Sequence, residues 1–176
     1  AFYELPFGKG RRWVNRGGII NHLLGGWQLS SGISSQTGHY FTVTVPNART
    51  RLGATCIGDW WPDRIADPVL ETRTANRWFD KSAFVLPRNA DGSWRIGNAG
   101  RAILNSDGPF NLDFGLMKAF SLTERLRLQF RWETSNLTNT PTLGDPNSNI
   151  ESPDVATSRG TTSTPRQMQF ALRLSF

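Results

Sequence analysis

The last ten residues, Gln167 to Phe176, alternate without a break. Met168, Phe170, Leu172, Leu174 and Phe176 fall on one side, and Gln167, Gln169, Ala171, Arg173 and Ser175 on the other. A period of two means a β-strand with one apolar and one polar face. A soluble sandwich can use such a strand, but this one ends on an aromatic with no polar tail after it. At ~3.3 Å per residue and tilted near 45°, it projects to about 23 Å, close to the apolar band of a membrane barrel. The stretch reads as a membrane strand.

The remaining composition fits an all-β chain. Its 176 residues suffice for one sizeable domain, and 11 Phe, 7 Trp and 2 Tyr favour strands over helices. No run of eighteen apolar residues marks a membrane helix. The chain opens on Ala1-Phe2-Tyr3-Glu4-Leu5-Pro6-Phe7, with neither a basic start nor a cleavage site, so for an exported protein the true N-terminus is expected further upstream. The net charge of +6 is spread through strands and loops rather than gathered on one element. Without a basic stripe interleaved with stacking aromatics, nucleic acid is not an expected partner. Cys56 stands alone, so neither a disulfide framework nor a thiolate metal cluster is expected.

Read in order, the pattern predicts about five strands, at residues 1–7, 26–37, 111–122, 124–136 and 167–176. Pro6 removes a ladder donor and should sit near the end of the first. Residues 8–24 form a basic, glycine-punctuated connection in which Ile19 to Leu24 make at most one helical turn. The alternation resumes with Trp27, Leu29 and Ile33, then with Leu112, Phe114 and Leu116, where Lys118 interrupts the apolar face near the strand end and can snorkel. A short link at Leu122-Thr123-Glu124 leads into Leu126, Leu128, Phe130 and Trp132, opposed by Arg125, Arg127, Gln129, Arg131 and Glu133; so short a link implies an antiparallel hairpin. Between Thr37 and Pro109 the regularity fades, with short hairpin arms expected at Tyr40 to Val45 and Ser82 to Leu86. That stretch holds five of the ten prolines, and the segment from Pro141 to Pro165 four more. A loop this long is usually functional.

The links after the second and fourth strands are long, whereas those after the first and third are shorter. In an up-and-down sheet, alternate links emerge at opposite ends, so both long loops share one end. Outer-membrane barrels have this asymmetry, with short periplasmic turns and long external loops. It groups Phe7, Trp27, Phe120 and Phe176 at the periplasmic rim, where an aromatic girdle belongs. Five strands leave open edges, and in lipid each unpaired backbone group costs several kcal/mol. The expected architecture is therefore antiparallel up-and-down strands forming the C-terminal part of a transmembrane β-barrel with long extracellular loops, completed by strands from elsewhere.

Several stretches carry a family resemblance. Tyr3-Glu4-Leu5-Pro6-Phe7-Gly8-Lys9-Gly10, Leu24-Gly25-Gly26-Trp27-Gln28-Leu29-Ser30, Trp78-Phe79-Asp80 with Ser82-Ala83-Phe84, and Gly97-Asn98-Ala99-Gly100-Arg101 occur in that order. With Asn111-Leu112-Asp113-Phe114, the run from Leu122 to Arg131 and the closing run from Arg166, they resemble the end of Oar-like TonB-dependent receptors. The resemblance implies a plugged twenty-two-stranded barrel in the outer membrane of a Gram-negative bacterium, energised by a TonB partner and taking up bulky ligands. It implies assembly by machinery that reads Phe170, Leu172, Leu174 and Phe176 as an insertion signal, and no cofactor. The plug and the TonB-contacting segment are missing from the 176 residues, and Thr134 and Ser135 stand where such receptors carry large apolar residues before the Asn136-Leu137 pair.

In this reading Trp27, Leu29, Ile33, Leu112, Phe114, Leu116, Leu126, Leu128, Phe130, Trp132, Met168, Phe170, Leu172 and Leu174 face lipid. Arg125, Arg127, Gln129, Arg131, Glu133, Gln169 and Arg173 face the lumen, where they pair with the plug or line a substrate path. Trp60, Trp61, Asp63, Arg64, Trp78 and Asp80 are the candidate ligand contacts of the long loop, although packing of that loop on itself explains them as well. His22 and His39 have no carboxylate or thiol at ligand spacing, no serine has an obvious base, and Gly97 to Arg101 lacks the Lys-Ser/Thr of a phosphate loop. No enzyme is expected. The competing function is a secreted or surface β-domain that binds carbohydrate or another ligand through its long loops.

Overall fold

The computed structural model describes residues 1–14, 18–53 and 58–176. Cys56 lies outside the described residues, as do residues 15–17 of the basic connection. In chain order the elements are β1 (Phe2–Glu4), α1 (Ile19–Leu24), β2 (Trp27–Ser35), β3 (Tyr40–Phe41), α2 (Ala48–Leu52), β4 (Asp63–Arg64), a 3-10 turn (Lys81–Ala83), β5 (Phe84–Val85), β6 (Leu104–Asn105), β7 (Phe110–Ser121), β8 (Arg127–Ser135) and β9 (Gln167–Ser175). They divide into two compact units.

The first unit is one antiparallel sheet in the order β1-β2-β7-β8-β9. Its register aligns the alternating residues into cross-strand rows. Trp27, Lys118, Phe130 and Leu172 make one row. Tyr3, Leu29, Leu116, Trp132 and Phe170 make the next. On the opposite face, Gln28, Met117, Arg131 and Ala171 align, as do Ser30, Gly115, Glu133 and Gln169. Period two in the sequence thus becomes two chemically distinct faces.

Strand ends follow from local chemistry. β1 is shorter than its alternation because Pro6 has no N–H to donate; Leu5 makes the last bond to Trp27 at 2.9 Å, and the Pro6 carbonyl turns to Trp13 instead. Between β7 and β8 the Thr123 hydroxyl accepts the Leu126 N–H at 3.0 Å, which holds residues 122–126 in a turn. Arg125 and Leu126, expected on the two faces of a strand, lie in that turn. β8 stops where Asn136 takes a left-handed conformation (φ 52°) and donates its N–H to the Asp113 carboxylate at 3.1 Å. Ser135 Oγ donates to the same carboxylate at 3.0 Å. The polar pair Ser135 and Asn136 therefore ties off the strand by bonding Asp113 of β7.

The second unit comprises Gln36–Pro109 and Thr142–Ser163. Its first segment is not irregular, as its faded periodicity implies, because it encloses a core. Val43, Trp78, Phe79, Ala83, Phe84, Ala99 and Leu104 pack with Val155 and Ala156 from the second segment, and Val45, Ala48 and Trp60 form a neighbouring cluster. The expected hairpin arms are also different: β3 pairs with β6 and β4 with β5, each with a partner distant in sequence. The segments are laced by main-chain bonds, Thr44 N–H to Ser148 at 2.8 Å, Ile150 N–H to Thr44 at 3.0 Å and Trp78 N–H to Ala156 at 2.8 Å. Pro62, Pro68 and Pro87 are fully buried, which proline does without stranding an amide donor.

Candidate functional site

The apolar face of the sheet is an aromatic pavement. Trp132 stacks on Phe170 with centroids 6.1 Å apart and 6° between planes, Phe114 meets Trp132 edge-on at 5.7 Å, and Trp27 meets Phe130 edge-on at 6.1 Å. Much of it has no cover: Ile33, Phe170, Leu172 and Leu174 are exposed, although a water-facing sheet ordinarily hides such side chains. Lys118 belongs to the same face and is buried; its ammonium donates to the Leu23 carbonyl at 2.8 Å and lies 5.2 Å from the Trp27 ring centre and 4.7 Å from that of Phe120. The Trp27 Nε1–H donates to that carbonyl as well, at 2.9 Å. The apparent break in the apolar pattern is a side chain folded back to the strand end, as snorkelling lysines do.

The opposite face carries Arg127, Gln129, Arg131, Glu133, Gln169 and Arg173. Arg131 pairs with Glu133 within β8. A cavity of about 830 Å³ crosses β2, β7, β8 and β9, where Ser30, Gly32 and Gly115 leave room beside Asp113, Glu133, Ser135, Gln167 and Gln169. The two carboxylates do not stand bare: Asp113 accepts from Asn111, Ser135 and Asn136, and Glu133 from Arg131. The wall is a hydrogen-bonding surface graded from arginines near the β7–β8 turn to amides and hydroxyls at the other end.

The second unit disperses the expected ligand contacts. Trp60 and Trp78 are buried core residues, and Asp63 is buried as well; these three present no platform to a ligand. Trp60 meets Trp94 edge-on at 5.9 Å, and Trp78 donates Nε1–H to the Asn105 carbonyl at 2.9 Å. Asp63 accepts from Arg95 and from the Asn98 N–H at 3.2 Å. Trp61 is half-buried and Arg64 is exposed, bonded to Ala66 and Asp67. Asp80 caps the 3-10 turn by accepting from the Ser82 hydroxyl at 2.7 Å and its N–H at 3.1 Å, which holds its carboxyl below the ordinary carboxylate range. Nor is Gly97 to Arg101 an anion cradle. Its N–H groups at Gly97, Asn98 and Ala99 already bond Trp61, Asp63 and Pro62, and a Cβ on Gly97 would stand 2.1 Å from the Pro62 carbonyl oxygen.

One cluster escaped the sequence reading. His39 lies between Ser106 and Asp145, with Nδ1 3.0 Å from Ser106 Oγ and Nε2 3.1 Å from the Asp145 carboxylate. Ser106 lines a cavity of about 460 Å³ with Arg73, Trp78, Asn105 and Asp107. The partners are 67 and 106 positions from His39, so no local spacing announces them. Among the described residues, no group of three or more His, Cys, Asp or Glu is placed to hold a metal ion.

An antiparallel sheet with one exposed aromatic face, one charged face and both long connections leaving the same end defines the wall of a membrane barrel. The sequence profile of the outer membrane beta barrel domain matches residues 1–169, and the chain belongs to that family. The protein is all-β and resides in the outer membrane. Neither the curated proteins nor the solved structures give a match.

Proposed function

We propose that this chain is wall and external loop of a TonB-dependent receptor of the Oar-like branch, taking part in energised uptake of a bulky ligand. The observation that carries the reading is the second unit. A simple pore needs no more than connecting loops, whereas here two connections from one end of the sheet build a body with its own core. In this reading the apolar rows, from Trp27, Leu29 and Ile33 through Leu112, Phe114 and Leu116 to Leu128, Phe130, Trp132, Met168, Phe170, Leu172 and Leu174, meet lipid. The arginine-rich face lines the lumen against a plug carried elsewhere, and the edges of β1 and β9 pair with further strands, as lipid requires. The partners are then the rest of the barrel, TonB, the assembly machinery reading the strand up to Phe176, and the lipid itself.

His39 is assigned to the loop body as a tie rather than to catalysis. Ser106 is buried, and Asp145 is open to water. The burial of Trp60 and Trp78 counts against carbohydrate stacking by the loops. The receptor reading is tested by conductance of the assembled barrel in a planar bilayer, together with its retention on an immobilised TonB periplasmic domain. A plugged receptor is electrically closed and is retained. A steadily open pore with no retention overturns the receptor assignment and leaves the barrel.

A further inference from the structure

We propose that α1 and the basic turn before it form an interfacial anchor that lies in the phospholipid headgroup boundary at the short-turn end of the barrel. The inference rests on the lipid-facing assignment of the row containing Trp27.

The helix has no core to serve. Ile19, Ile20, Leu23 and Leu24 are 77, 43, 59 and 48% exposed, and none of its residues is buried. A helix of six residues is marginal in water by its own hydrogen bonds, and four large apolar side chains in six positions make it worse there. Something apolar covers it, and its attachments indicate what. The Leu23 carbonyl accepts from Trp27 Nε1 at 2.9 Å and from Lys118 Nζ at 2.8 Å. Both donors belong to one cross-strand row of the apolar face, with Phe130 and Leu172, one row in from Phe120, Leu128 and Leu174. The helix is thus fastened to the membrane side of the wall, at its rim, and its uncovered residues continue that surface.

The preceding turn supplies the polar half of an interfacial element. The Lys9 N–H donates to Asn21 Oδ1 at 2.6 Å, which ties the turn to the helix. Trp13 is half-exposed, packs on Phe7 at 5.6 Å and has the Arg12 guanidinium 5.8 Å from its ring centre. Among the described residues Lys9 and Arg12 make no ion pair, while Arg11 is paired with Glu4. Tryptophan beside basic residues, next to a small apolar helix, is the composition that settles where acyl chains give way to phosphates. Cations near an anionic surface add attraction that falls off within a Debye length.

The test places a single environment-sensitive fluorophore on the assembled barrel, refolded into phosphatidylethanolamine–phosphatidylglycerol vesicles. Cys56→Ser removes the native thiol, and Leu23→Cys, Ile20→Cys or Leu172→Cys carries the label; two helix positions guard against one impairing the fold. Lipids bearing a nitroxide near the headgroup or deep in the acyl chain report depth. The expected result is blue-shifted emission at Leu23 and Ile20 with loss to the shallow nitroxide, and loss to the deep nitroxide at Leu172. Water-like emission at both helix positions with Leu172 still quenched overturns the anchor alone. An unquenched Leu172 overturns the lipid-facing assignment, and the anchor with it.

Discussion

Asp63 and Arg95 are joined by a two-pronged ion pair, Nη1 to Oδ1 at 2.9 Å and Nη2 to Oδ2 at 2.6 Å, and the carboxylate end is buried. The Asn98 N–H completes the carboxylate's shell, so the pair fastens the Arg95–Asn98 stretch to β4. Removing one partner of a fully buried pair costs about 3–5 kcal/mol, and the partial exposure of Arg95 brings the expectation for Asp63→Ala down to about 2 kcal/mol. Urea unfolding followed by tryptophan emission measures it. A loss no larger than that of Arg64→Ala, whose partners are exposed, would mean the pair is ornamental.

Trp60 separates a packed loop from a binding loop. As a fully buried core residue it should cost about 3–5 kcal/mol when changed to alanine. Thermal unfolding of the loop body checks this. A stable Trp60→Ala variant would return the residue to the surface and reopen the ligand reading.

The two faces of β9 should respond oppositely to charge. Leu172→Arg, near mid-strand, is expected to destabilise the membrane-embedded barrel by about 2–4 kcal/mol, and Leu174→Arg, closer to the rim, by about 1 kcal/mol. Gln169→Arg on the other face, opposite Glu133, should be nearly neutral. Folding titrations into vesicles give all three, and equal costs at Leu172 and Gln169 would remove the distinction between lipid and lumen.

Acid should loosen the 3-10 turn at Lys81–Ala83. The Asp80 carboxyl is held below its ordinary 3.8 by the Ser82 hydroxyl first and the Ser82 N–H second, with Arg77 assisting. A depressed folded value means that the stabilisation is complete above the unfolded value and disappears as pH falls through the folded one. Wild type should therefore lose cap stability only below about pH 4, and Asp80→Asn should flatten that acid limb. Amide exchange at Ser82 and Ala83 across this range is the measurement.

The sheet was legible because alternation encodes it directly: Met168 to Leu174 could be placed on one face from spacing alone, and the register with Leu128 to Thr134 agrees. Ends were harder, since Pro6 and the Thr123 hydroxyl act through single hydrogen bonds that periodicity does not register. The loop body was illegible for a further reason. Val43, Phe79, Leu104 and Val155 enter its core one at a time from bends and two-residue ladders, so no window contains a repeat. His39 met Ser106 and Asp145 only through that long-range packing. Trp60 and Trp78 looked like ligand contacts because an aromatic beside a charge reads the same whether it points outward or is folded under.

The lacing of Thr44 to Ser148 and of Trp78 to Ala156 has a temporal consequence. A ribosome that has finished residue 109 has made most of the loop body but none of Val155 or Ala156, so Val43, Phe79 and Phe84 stay partly bare until β7 and β8 have been made and the second segment follows. The body ripens only as β9 is about to emerge.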